Sequence, residues 1–348
     1  MQQTSGHQMD PLSAMKAQAW PQAIKATVAV ERWTLAKPFI IARGRMDAVD
    51  VVVVTLEADG VTGRGESCPV DHYGETTDGV VALATRMTDM LCVGRSWAEC
   101  HDAFPAGAAR NAVDCAVWDL VAKHNGKRVH EILGLPQPGL VQTVFTLSID
   151  TPAGMAEAAA AAGAYRHLKL KLGKESDAGH VEAVRAAAPD KVLIADVNEA
   201  WSREQVISNM PSLQKAGLRM LEQPLRAGED AGLSGLERLV PVGADESCHV
   251  ADDLDSLKGL YDVVNIKLDK TGGLTEAMRL LTRAEQMGFT PMVGCMLGTS
   301  LAMAPAHLVA QRCAFVDIDA PLLVGADRET ALVYDKGVVS PPEPALWG

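Results

Sequence analysis

The amino-acid sequence predicts an α/β protein, a (β/α)8-type barrel preceded by an N-terminal α+β domain. First, short apolar runs that each end in a charged residue recur at intervals of about 22 to 26 residues, which fit one strand, one helix and two loops. Second, eight strand candidates alternate with helical patterns from residue 141 onwards, which favours a barrel over an open doubly wound sheet. Third, strand patterns precede helical patterns before residue 140, the order expected of an α+β domain.

Composition and charge narrow the classes of partner. The chain has 348 residues, 48% of them hydrophobic, enough for the core of a barrel and one accessory domain. The formal net charge of −12 and the lack of a long basic run argue against nucleic acid and anionic membranes as partners. Seven scattered cysteines without a C-x-x-C pair predict reduced thiols. With no pattern for a membrane span or a signal peptide, we expect a cytoplasmic protein.

The α+β domain is predicted at residues 25–140, after a flexible N-terminal extension at residues 1–24. Residues 133–136 (Leu-Gly-Leu-Pro) end its helical pattern and mark the boundary. Its predicted elements are strands at residues 26–35, 51–57 and 63–69, loops at residues 39–45 and 72–76, and helices from residue 77 to about residue 124.

The barrel is predicted at residues 141–321, and residues 322–348 are expected to pack back on the α+β domain. Its first β/α turn has no G-x-G-x-x-G motif, which argues against a dinucleotide-binding fold. The predicted strands are residues 141–148, 167–172, 191–197, 219–223, 240–245, 263–268, 290–296 and 314–319. The predicted helices are residues 152–164, 178–188, 203–216, 232–239, 252–260, 274–287 and 301–308.

Three carboxylates occupy equivalent positions at the ends of three successive strands: Asp196, Glu222 and Asp245. The carboxyl ends of barrel strands meet at one mouth, so these side chains are expected to converge there. Three hard oxygen ligands suit Mg²⁺, whereas zinc would call for His or Cys at suitable spacing. A structural alternative is that each acid only caps the helix that follows it.

Three lysines complete the predicted site. Lys169 and Lys171 face the same side of one strand, and Lys267 ends a strand four units further round the barrel. Crowded ammonium groups lower one another's pKa, which is one route to a lysine base near neutral pH. The alternative is that the lysines extend along the surface. Two bases facing each other across a metal suggest removal of an α-proton and its return to the opposite face, with inversion at the α-carbon.

The sequence motifs that contain these carboxylates and lysines resemble those of the enolase superfamily, muconate lactonising subgroup, and the resemblance covers roughly residues 26–340. The resemblance implies an enolase-like modified TIM barrel with a capping domain. It also implies that Lys171 and Lys267 are the acid/base pair and that Lys169 gives electrostatic support. The motifs are residues 169–171 (Lys-Leu-Lys), 196–199 (Asp-Val-Asn-Glu), 222–224 (Glu-Gln-Pro) and 245–247 (Asp-Glu-Ser), together with Lys267.

Two further stretches, residues 294–300 and 317–321, resemble the dipeptide epimerases of this superfamily, above all those acting on L-Ala-D/L-Glu. The resemblance implies that Asp317 and Asp319 hold the α-ammonium group of the dipeptide. It assigns the side-chain carboxylate of the substrate to Arg43, with Arg45 as the alternative, and it places Thr146 and Met296 in the substrate pocket. Gly298 departs from relatives that carry a larger residue, and a wider pocket is expected there.

The expected function is therefore Mg²⁺-dependent epimerisation of a dipeptide, most simply L-Ala-D/L-Glu from cell-wall peptide. The alternatives on the same fold are an o-succinylbenzoate synthase or cycloisomerase and an N-acylamino-acid racemase. Their substrates lack a free α-ammonium group, so Asp317 and Asp319 argue against them. An alternative of another class is a binding barrel without catalysis, which predicts no metal-dependent proton exchange. A small dipeptide is the expected ligand, and a homo-oligomer is the expected assembly.

Overall fold

A computed structural model describes residues 9–348 and shows an N-terminal antiparallel sheet covered by helices. In this sheet β1 pairs with β2 and β2 with β3. Residues 51–54, four consecutive valines in β2, are buried, and β-branched side chains favour this extended backbone. The elements are α1 (Pro11–Lys16), β1 (Lys25–Ile41), β2 (Gly44–Ala58), β3 (Val61–Ser67), α2 (Thr77–Cys92), α3 (Trp97–Cys100), α4 (Ala108–His124) and α5 (Val129–Ile132).

Helix α4 packs closely on β3 because β3 presents glycine to it. A Cβ atom at Gly65 would lie 2.1 Å from the carbonyl oxygen of Ala112, and one at Gly63 would lie 2.4 Å from that of Ala116. The other face of α4 is buried too, so the helix lies between this sheet and the rest of the molecule. The end of β3 is thereby held close to the barrel.

The chain just before β1 differs from the loose extension expected there. Residues 1–8 of that extension lie outside the described residues, but Pro11–Lys16 form the helix α1. The side chain of Asp10 accepts a hydrogen bond from Ser13 N at 3.2 Å, and Leu12 and Met15 are buried. An N-cap and an apolar face are enough to order this short segment.

The barrel consists of a curled eight-stranded parallel sheet, β5 to β12 in consecutive order, so the fold class predicted from the sequence is confirmed. Its strands, with β4 just before them, are β4 (Val141–Gln142), β5 (Phe145–Leu147), β6 (His167–Lys171), β7 (Val192–Asp196), β8 (Leu218–Glu222), β9 (Val242–Ala244), β10 (Val263–Lys267), β11 (Thr290–Gly294) and β12 (Phe315–Val316). Its helices are α6 (Pro152–Ala161), α7 (Ala178–Ala187), α8 (Arg203–Lys215), α9 (Leu254–Leu257), α10 (Leu268–Thr271), α11 (Leu274–Met287), α12 (Ser300–Ala310) and α13 (Ala320–Leu323).

The first and last barrel strands meet at a seam. Val144 N donates a hydrogen bond to Val316 O at 2.9 Å, just before β5 and at the end of β12. Thr146 N donates to the Oδ2 atom of Asp319 at 2.7 Å, so a side chain continues the contact where backbone pairing ends. Side chains therefore share in closing the barrel.

Three predicted elements differ in the structure. The strand predicted at residues 141–148 is two strands, because β4 pairs antiparallel with β14 (Val338–Val339) outside the barrel. The helix predicted at residues 232–239 is only a 3-10 turn, Asp230–Leu233, since Gly235 adopts a left-handed φ of 69° and breaks any continuation. The helix predicted at residues 252–260 is reduced to a 3-10 turn, Ala251–Asp253, and α9.

The C-terminal segment contacts the N-terminal domain at several points. Arg328 Nη2 lies 2.9 Å from Glu31 Oε2, and Trp347 Nε1 donates to Cys115 O at 2.9 Å. The strand β13 (Tyr334–Asp335) pairs with β14. Within residues 9–348 no helix is both long enough and apolar enough to cross a membrane.

Candidate active site

The three predicted carboxylates converge at the carboxyl ends of adjacent strands. Asp196 ends β7, Glu222 ends β8 and Asp245 directly follows β9, and all three are fully buried. One oxygen atom of each lies within 4.8 Å of the others. Parallel strands in register bring these positions together, since Asp196 and Glu222 are paired across β7 and β8. Such a set of hard oxygen donors fits a divalent cation such as Mg²⁺.

Lys171 and Lys267 approach the carboxylates from different strands, β6 and β10. Lys171 Nζ lies 2.5 Å from Asp196 Oδ2 and 3.3 Å from Asn198 Oδ1. Lys267 Nζ lies 2.6 Å from Asp245 Oδ2. Three strands separate β6 from β10 in the sheet, so the two ammonium groups lie on opposite sides of the carboxylate cluster. Two amino groups, each able to carry a proton, thus lie on opposite sides of the cluster.

Lys169 lies deeper in the barrel, with 1% of its surface exposed. Its Nζ atom lies 2.7 Å from Asp317 Oδ2, 2.8 Å from Glu222 Oε2 and 3.3 Å from Asp196 Oδ2. Burial opposes its charge, but these carboxylates outweigh burial and raise the pKa of Lys169 well above its ordinary value. The lowered pKa that the sequence predicts for crowded lysines is therefore not found at Lys169.

The carboxylates of the cluster titrate differently from one another. Burial and the charge of Asp196 raise the pKa of Glu222 to about 7. Burial also opposes ionisation of Asp245, but Lys267 and Lys270 outweigh it and hold the pKa of Asp245 well below its ordinary range. The pKa of Lys267 is raised, since the carboxylates, with Asp245 foremost, exceed the effect of its burial. Asp245 and Lys267 therefore each stabilise the charged form of the other.

Two residues that were not predicted as site residues, Lys270 and Asn265, bind the carboxylates of the cluster. Lys270 Nζ lies 2.7 Å from Asp245 Oδ1 and donates to the carbonyl of Asn265 at 3.0 Å. Asn265 Nδ2 donates to Glu222 Oε1 at 2.6 Å. Asn265 lies two residues before Lys267 on the same face of β10, so strand periodicity could have found it. Lys270 follows the strand in α10, where periodicity gives no such signal.

The backbone after the strand ends adopts unusual conformations. Asn198, Glu199 and Gln223 have left-handed φ angles of 47°, 68° and 35°. In return, Asn198 N donates to Asp196 Oδ1 at 2.9 Å, and Gln223 Oε1 accepts from Asp245 N at 2.8 Å. Positive φ at residues other than glycine is costly and is concentrated at functional sites. These turns orient the carboxylates.

Asp317 and Asp319 follow β12 and lie at the same mouth. Both are buried, and an oxygen of each lies within 4.8 Å of the other and of Cys295 Sγ. Asp319 accepts from the backbone of Thr146, which is 6% exposed. Burial and then Asp317 raise the pKa of Asp319 to about 7. A pair of buried carboxylates with one lysine partner, Lys169, is suited to bind a further cation.

The structure separates the two candidate arginines. Arg43 Nη1 lies 2.6 Å from Glu246 Oε1 and 3.4 Å from Glu199 Oε2, two carboxylates of the barrel mouth. Arg45 pairs instead with Asp47 at 2.9 Å, and both side chains are more than half exposed. Arg43 therefore lies at the site and Arg45 lies on the outer surface. Glu246, which is 4% exposed, was not identified from the sequence.

Two segments of the N-terminal domain cover the mouth. The first was predicted as a loop, but β1 and β2 extend through it and leave only the turn at Ala42 and Arg43. Its backbone is joined to the barrel, because Ile149 N donates to Ile40 O at 3.1 Å. In the second segment, His72 Nε2 lies 2.7 Å from Glu199 Oε2. Both segments thus meet carboxylates that follow metal-ligand candidates.

The loop after β11 carries Met296, which is partly buried, and Gly298. Gly298 was expected to widen the pocket, but the side chain of Glu66 occupies the space beside it. A Cβ atom at this position would lie 2.9 Å from Glu66 Oε1 and 3.4 Å from Ala302 Cβ. The glycine therefore admits a buried carboxylate from the N-terminal domain.

Family models match most of the chain. Residues 23–134 match the mandelate racemase/muconate lactonizing enzyme N-terminal domain, and residues 153–344 match the enolase C-terminal domain-like family. Among curated relatives, an L-Ala-D/L-Glu epimerase of Escherichia coli is 43% identical, over 88% of this chain and 96% of the relative. An N-acetyl-D-glutamate racemase of a Pseudoalteromonas species is 42% identical, over 86% of this chain and 95% of the relative.

Solved structures show the same similarity. An enolase family member from Agrobacterium tumefaciens with homology to dipeptide epimerases, with bound sodium and L-Ala-L-Glu, has a TM-score of 0.91 and 45% identity, covering 93% of this chain and 100% of its own. A dipeptide epimerase from Cytophaga hutchinsonii, complexed with Mg and D-Ala-L-Val, has a TM-score of 0.85 and 28% identity, covering 92% of this chain and 94% of its own.

Proposed function

Because this chain belongs to the mandelate racemase/muconate lactonizing enzyme family of enolase-like proteins, we propose that it is a Mg²⁺-dependent dipeptide epimerase acting on L-Ala-D/L-Glu. The relatives are epimerases and racemases, so the chain is an isomerase of amino-acid derivatives. The metal, the two-lysine mechanism and the particular dipeptide are the parts proposed.

The observation that carries the proposal is a buried carboxylate cluster between two lysines. Asp196, Glu222 and Asp245 have oxygen atoms within 4.8 Å of one another, and they would hold the cation. Mg²⁺ in this position would supply the positive charge that stabilises the enolate of the substrate and that lowers the pKa of nearby lysines. Lys171 lies 2.5 Å from Asp196 and Lys267 lies 2.6 Å from Asp245, close enough to act on a substrate bound beside the cluster.

Proton transfer by the two lysines accounts for inversion. One lysine, with a neutral Nζ, accepts the α-proton as the C–H bond of the second residue breaks, and the electron pair passes into the adjacent carboxylate. The other lysine, as an ammonium group, donates a proton to the opposite face of the same carbon. One proton is taken up and one is given, so the reaction is an isomerisation without a co-reactant.

The remaining charges suit a dipeptide with an acidic second residue. Asp317 and Asp319 would bind the α-ammonium group, because both carboxylates are buried at the mouth and Lys169 is paired with Asp317. Arg43 would bind the side-chain carboxylate of the substrate, exchanging part of its contact with Glu246 for the ligand. Thr146 and Met296 would line the pocket between these charges.

The test is ¹H NMR of L-Ala-L-Glu incubated with the protein in D₂O, with Mg²⁺ and with EDTA. We expect loss of the glutamate α-proton signal and appearance of L-Ala-D-Glu in the Mg²⁺ sample only. Exchange that proceeds equally in EDTA would contradict the metal requirement. No exchange in L-Ala-L-Glu or in a panel of other dipeptides would contradict the epimerase proposal.

A second candidate is racemisation of an N-acylamino acid, which the relative from Pseudoalteromonas favours by its name. The same NMR experiment with N-acetyl-L-glutamate separates the two, because this substrate has no α-ammonium group. Asp319→Asn should reduce turnover of L-Ala-L-Glu and spare that of N-acetylglutamate. Faster exchange of N-acetylglutamate than of the dipeptide by the wild-type protein would favour the racemase.

A further inference from the structure

A buried carboxylate of the N-terminal domain reaches across to the barrel. Glu66, near the end of β3, is 1% exposed. Its Oε1 atom accepts a hydrogen bond from Thr299 N at 2.7 Å, and its Oε2 atom accepts one from Thr299 Oγ1 at 2.5 Å. Arg328 of the C-terminal segment donates to the same Oε2 atom through Nη2 at 2.5 Å. Three parts of the chain therefore meet at one carboxylate.

The barrel holds the strand that carries Glu66 in a fixed place. Cys68 N, two residues further on, donates to Asp269 Oδ1 at 3.0 Å, and Asn111 Nδ2 donates to the same oxygen at 2.9 Å. Asp269 belongs to α10, directly after the candidate acid/base residue Lys267. The end of β3 is thus fixed in position relative to β10, the strand that carries Lys267. Glu66 fixes the loop after β11 to the same strand, β3.

The loop after β11 has little freedom to bind Glu66 in another way. A Cβ atom at Gly298 would lie 2.9 Å from Glu66 Oε1, so a glycine is needed beside the carboxylate. Thr299 is fully buried and also caps α12, where its side chain accepts from Leu301 N. The segment from Cys295 to Thr299 is therefore fixed at β11 on one side and at Glu66 on the other.

We propose that Glu66 is a positioning residue that sets the substrate loop, residues 295–299, against the bound dipeptide from the opposite domain. The proposal rests on the proposed function for the identity of the substrate. Glu66 touches neither the carboxylate cluster nor the acid/base lysines, and it acts through the loop that carries Met296. Its loss should weaken substrate binding and leave the proton-transfer step largely intact.

Glu66→Gln tests this because the glutamine amide cannot suit both of its neighbours. Thr299 N and Arg328 are both donors, so the amide group of glutamine must face one of them with a donor of its own. We expect KM for L-Ala-L-Glu to rise roughly tenfold, as for loss of one charge-assisted hydrogen bond, with kcat changed far less. A second variant, Gly298→Ala, should move KM in the same direction by displacing the carboxylate.

The matched control is Asp114→Asn. Asp114 is also a buried carboxylate that crosses the domain boundary, accepting from Thr275 N at 2.9 Å and Thr275 Oγ1 at 2.6 Å, but its partner begins α11 rather than the substrate loop. This variant should lose stability with KM unchanged. Equal KM shifts in Glu66→Gln and Asp114→Asn, or no KM shift in Glu66→Gln, would overturn the proposal.

Hydrogen exchange gives a readout that does not depend on turnover. The Thr299 amide should exchange at least tenfold faster in Glu66→Gln than in the wild type, as expected for loss of a charge-assisted hydrogen bond, and stay protected in Asp114→Asn. Unchanged protection of residues 295–300 in Glu66→Gln would contradict the positioning role. If the wild-type protein epimerises no dipeptide, the proposed function fails, while this exchange measurement still decides whether Glu66 holds the loop.

Discussion

The two ends of the barrel are built by the same strands with opposite chemistry. Near the amino ends, inward-facing side chains form a small apolar cluster separate from the main core: Val144, Ile194, Met220, Val263 and Met292, with Phe315 packed against it. Towards the carboxyl ends, buried polar residues lie two positions after five of these six: Thr146, Asp196, Glu222, Asn265 and Asp317. Ile194 precedes Asp196 in this way, and Met220 precedes Glu222.

Stability and chemistry are therefore assigned to different positions along each strand. The apolar layer gains free energy by burying hydrocarbon, whereas the polar layer must offset the desolvation of every charge it buries. Buried ion pairs rarely stabilise a fold more than apolar residues of the same size would. The polar layer is therefore expected to govern turnover, and the apolar layer to govern unfolding.

Replacing either lysine of the proposed acid/base pair should have the largest effect. Lys267→Ala and Lys171→Ala remove a proton donor or acceptor and should lower the epimerisation rate by about 10²–10⁴-fold. Steady-state kinetics with L-Ala-L-Glu measures this. Lys215→Ala, at an exposed position on α8, is the control and should be as active as the wild type. Retention of more than a tenth of the activity in either variant would contradict the role proposed for that lysine.

Asp269→Asn should show what a buried charge costs at the polar end. Burial raises the pKa of Asp269 to about 7, so between its ordinary pKa of 3.8 and that value the folded protein keeps a proton that the unfolded chain releases. Stability then falls as pH rises, by about 1.4 kcal/mol per pH unit and by up to about 4 kcal/mol in total above pH 7. Asparagine keeps the acceptor oxygen and carries no charge.

Urea unfolding at several pH values measures this effect. Asp269→Asn should be more stable than the wild type at pH 8 and nearly equal to it at about pH 4, close to the ordinary pKa of 3.8. Asp190→Asn, whose wild-type side chain is 78% exposed, serves as the control and should shift stability little at either pH. A variant less stable than the wild type at pH 8 would show that the charge is favourable where it lies.

Met220→Ala, in the apolar layer, should lower stability and leave turnover unchanged. Met220 is fully buried two residues before Glu222, and truncation of a buried methionine costs about 2–5 kcal/mol of unfolding free energy. The catalytic rate of the folded protein should stay near that of the wild type. Urea denaturation and kcat, measured on the same sample, test this. Met9→Ala is the control, since Met9 is 59% exposed. A loss of kcat without a loss of stability would contradict the division.

Arg43→Ala should have the smallest effect of the four and should concern specificity. If Arg43 binds the substrate carboxylate as proposed, removing this charged hydrogen-bond partner costs about 1.5–3 kcal/mol, or roughly 10–100-fold in kcat/KM for L-Ala-L-Glu. Turnover of L-Ala-L-Leu, which has no side-chain carboxylate, should change less. Arg45→Ala is the matched control, because Arg45 pairs with Asp47 on the outer surface. Equal losses in both variants would reject the assignment.

The barrel and its polar mouth could be predicted because strand periodicity places them. Asp196, Glu222 and Lys267 are the last residues of β7, β8 and β10 in the structure, as the spacing predicted. The helix expected at residues 232–239 failed because two glycines and a following proline weaken a pattern that apolar spacing alone suggests. Hydrophobic periodicity thus predicts a regular strand and the face that it buries, but it is less informative where glycine and proline interrupt a helical pattern.

Contacts between distant parts of the chain could not be predicted in this way. Glu66 and Thr299 are far apart in sequence, and nothing near either one indicates that they meet. The same is true of Arg43 and Glu246, which belong to different domains. Such pairs depend on how the N-terminal domain sits on the barrel, a property of tertiary packing.

The seam between the first and last barrel strands has a consequence for folding and ligand linkage. There Val144 N donates to Val316 O, and Asp319 on one side accepts from Thr146 on the other. A cylinder joined so sparsely at one line should open there first, as a local unfolding unit of lower free energy than β6 to β8. A ligand held by Asp319 and Thr146 would bridge that line, so occupancy and closure of the cylinder would be thermodynamically coupled.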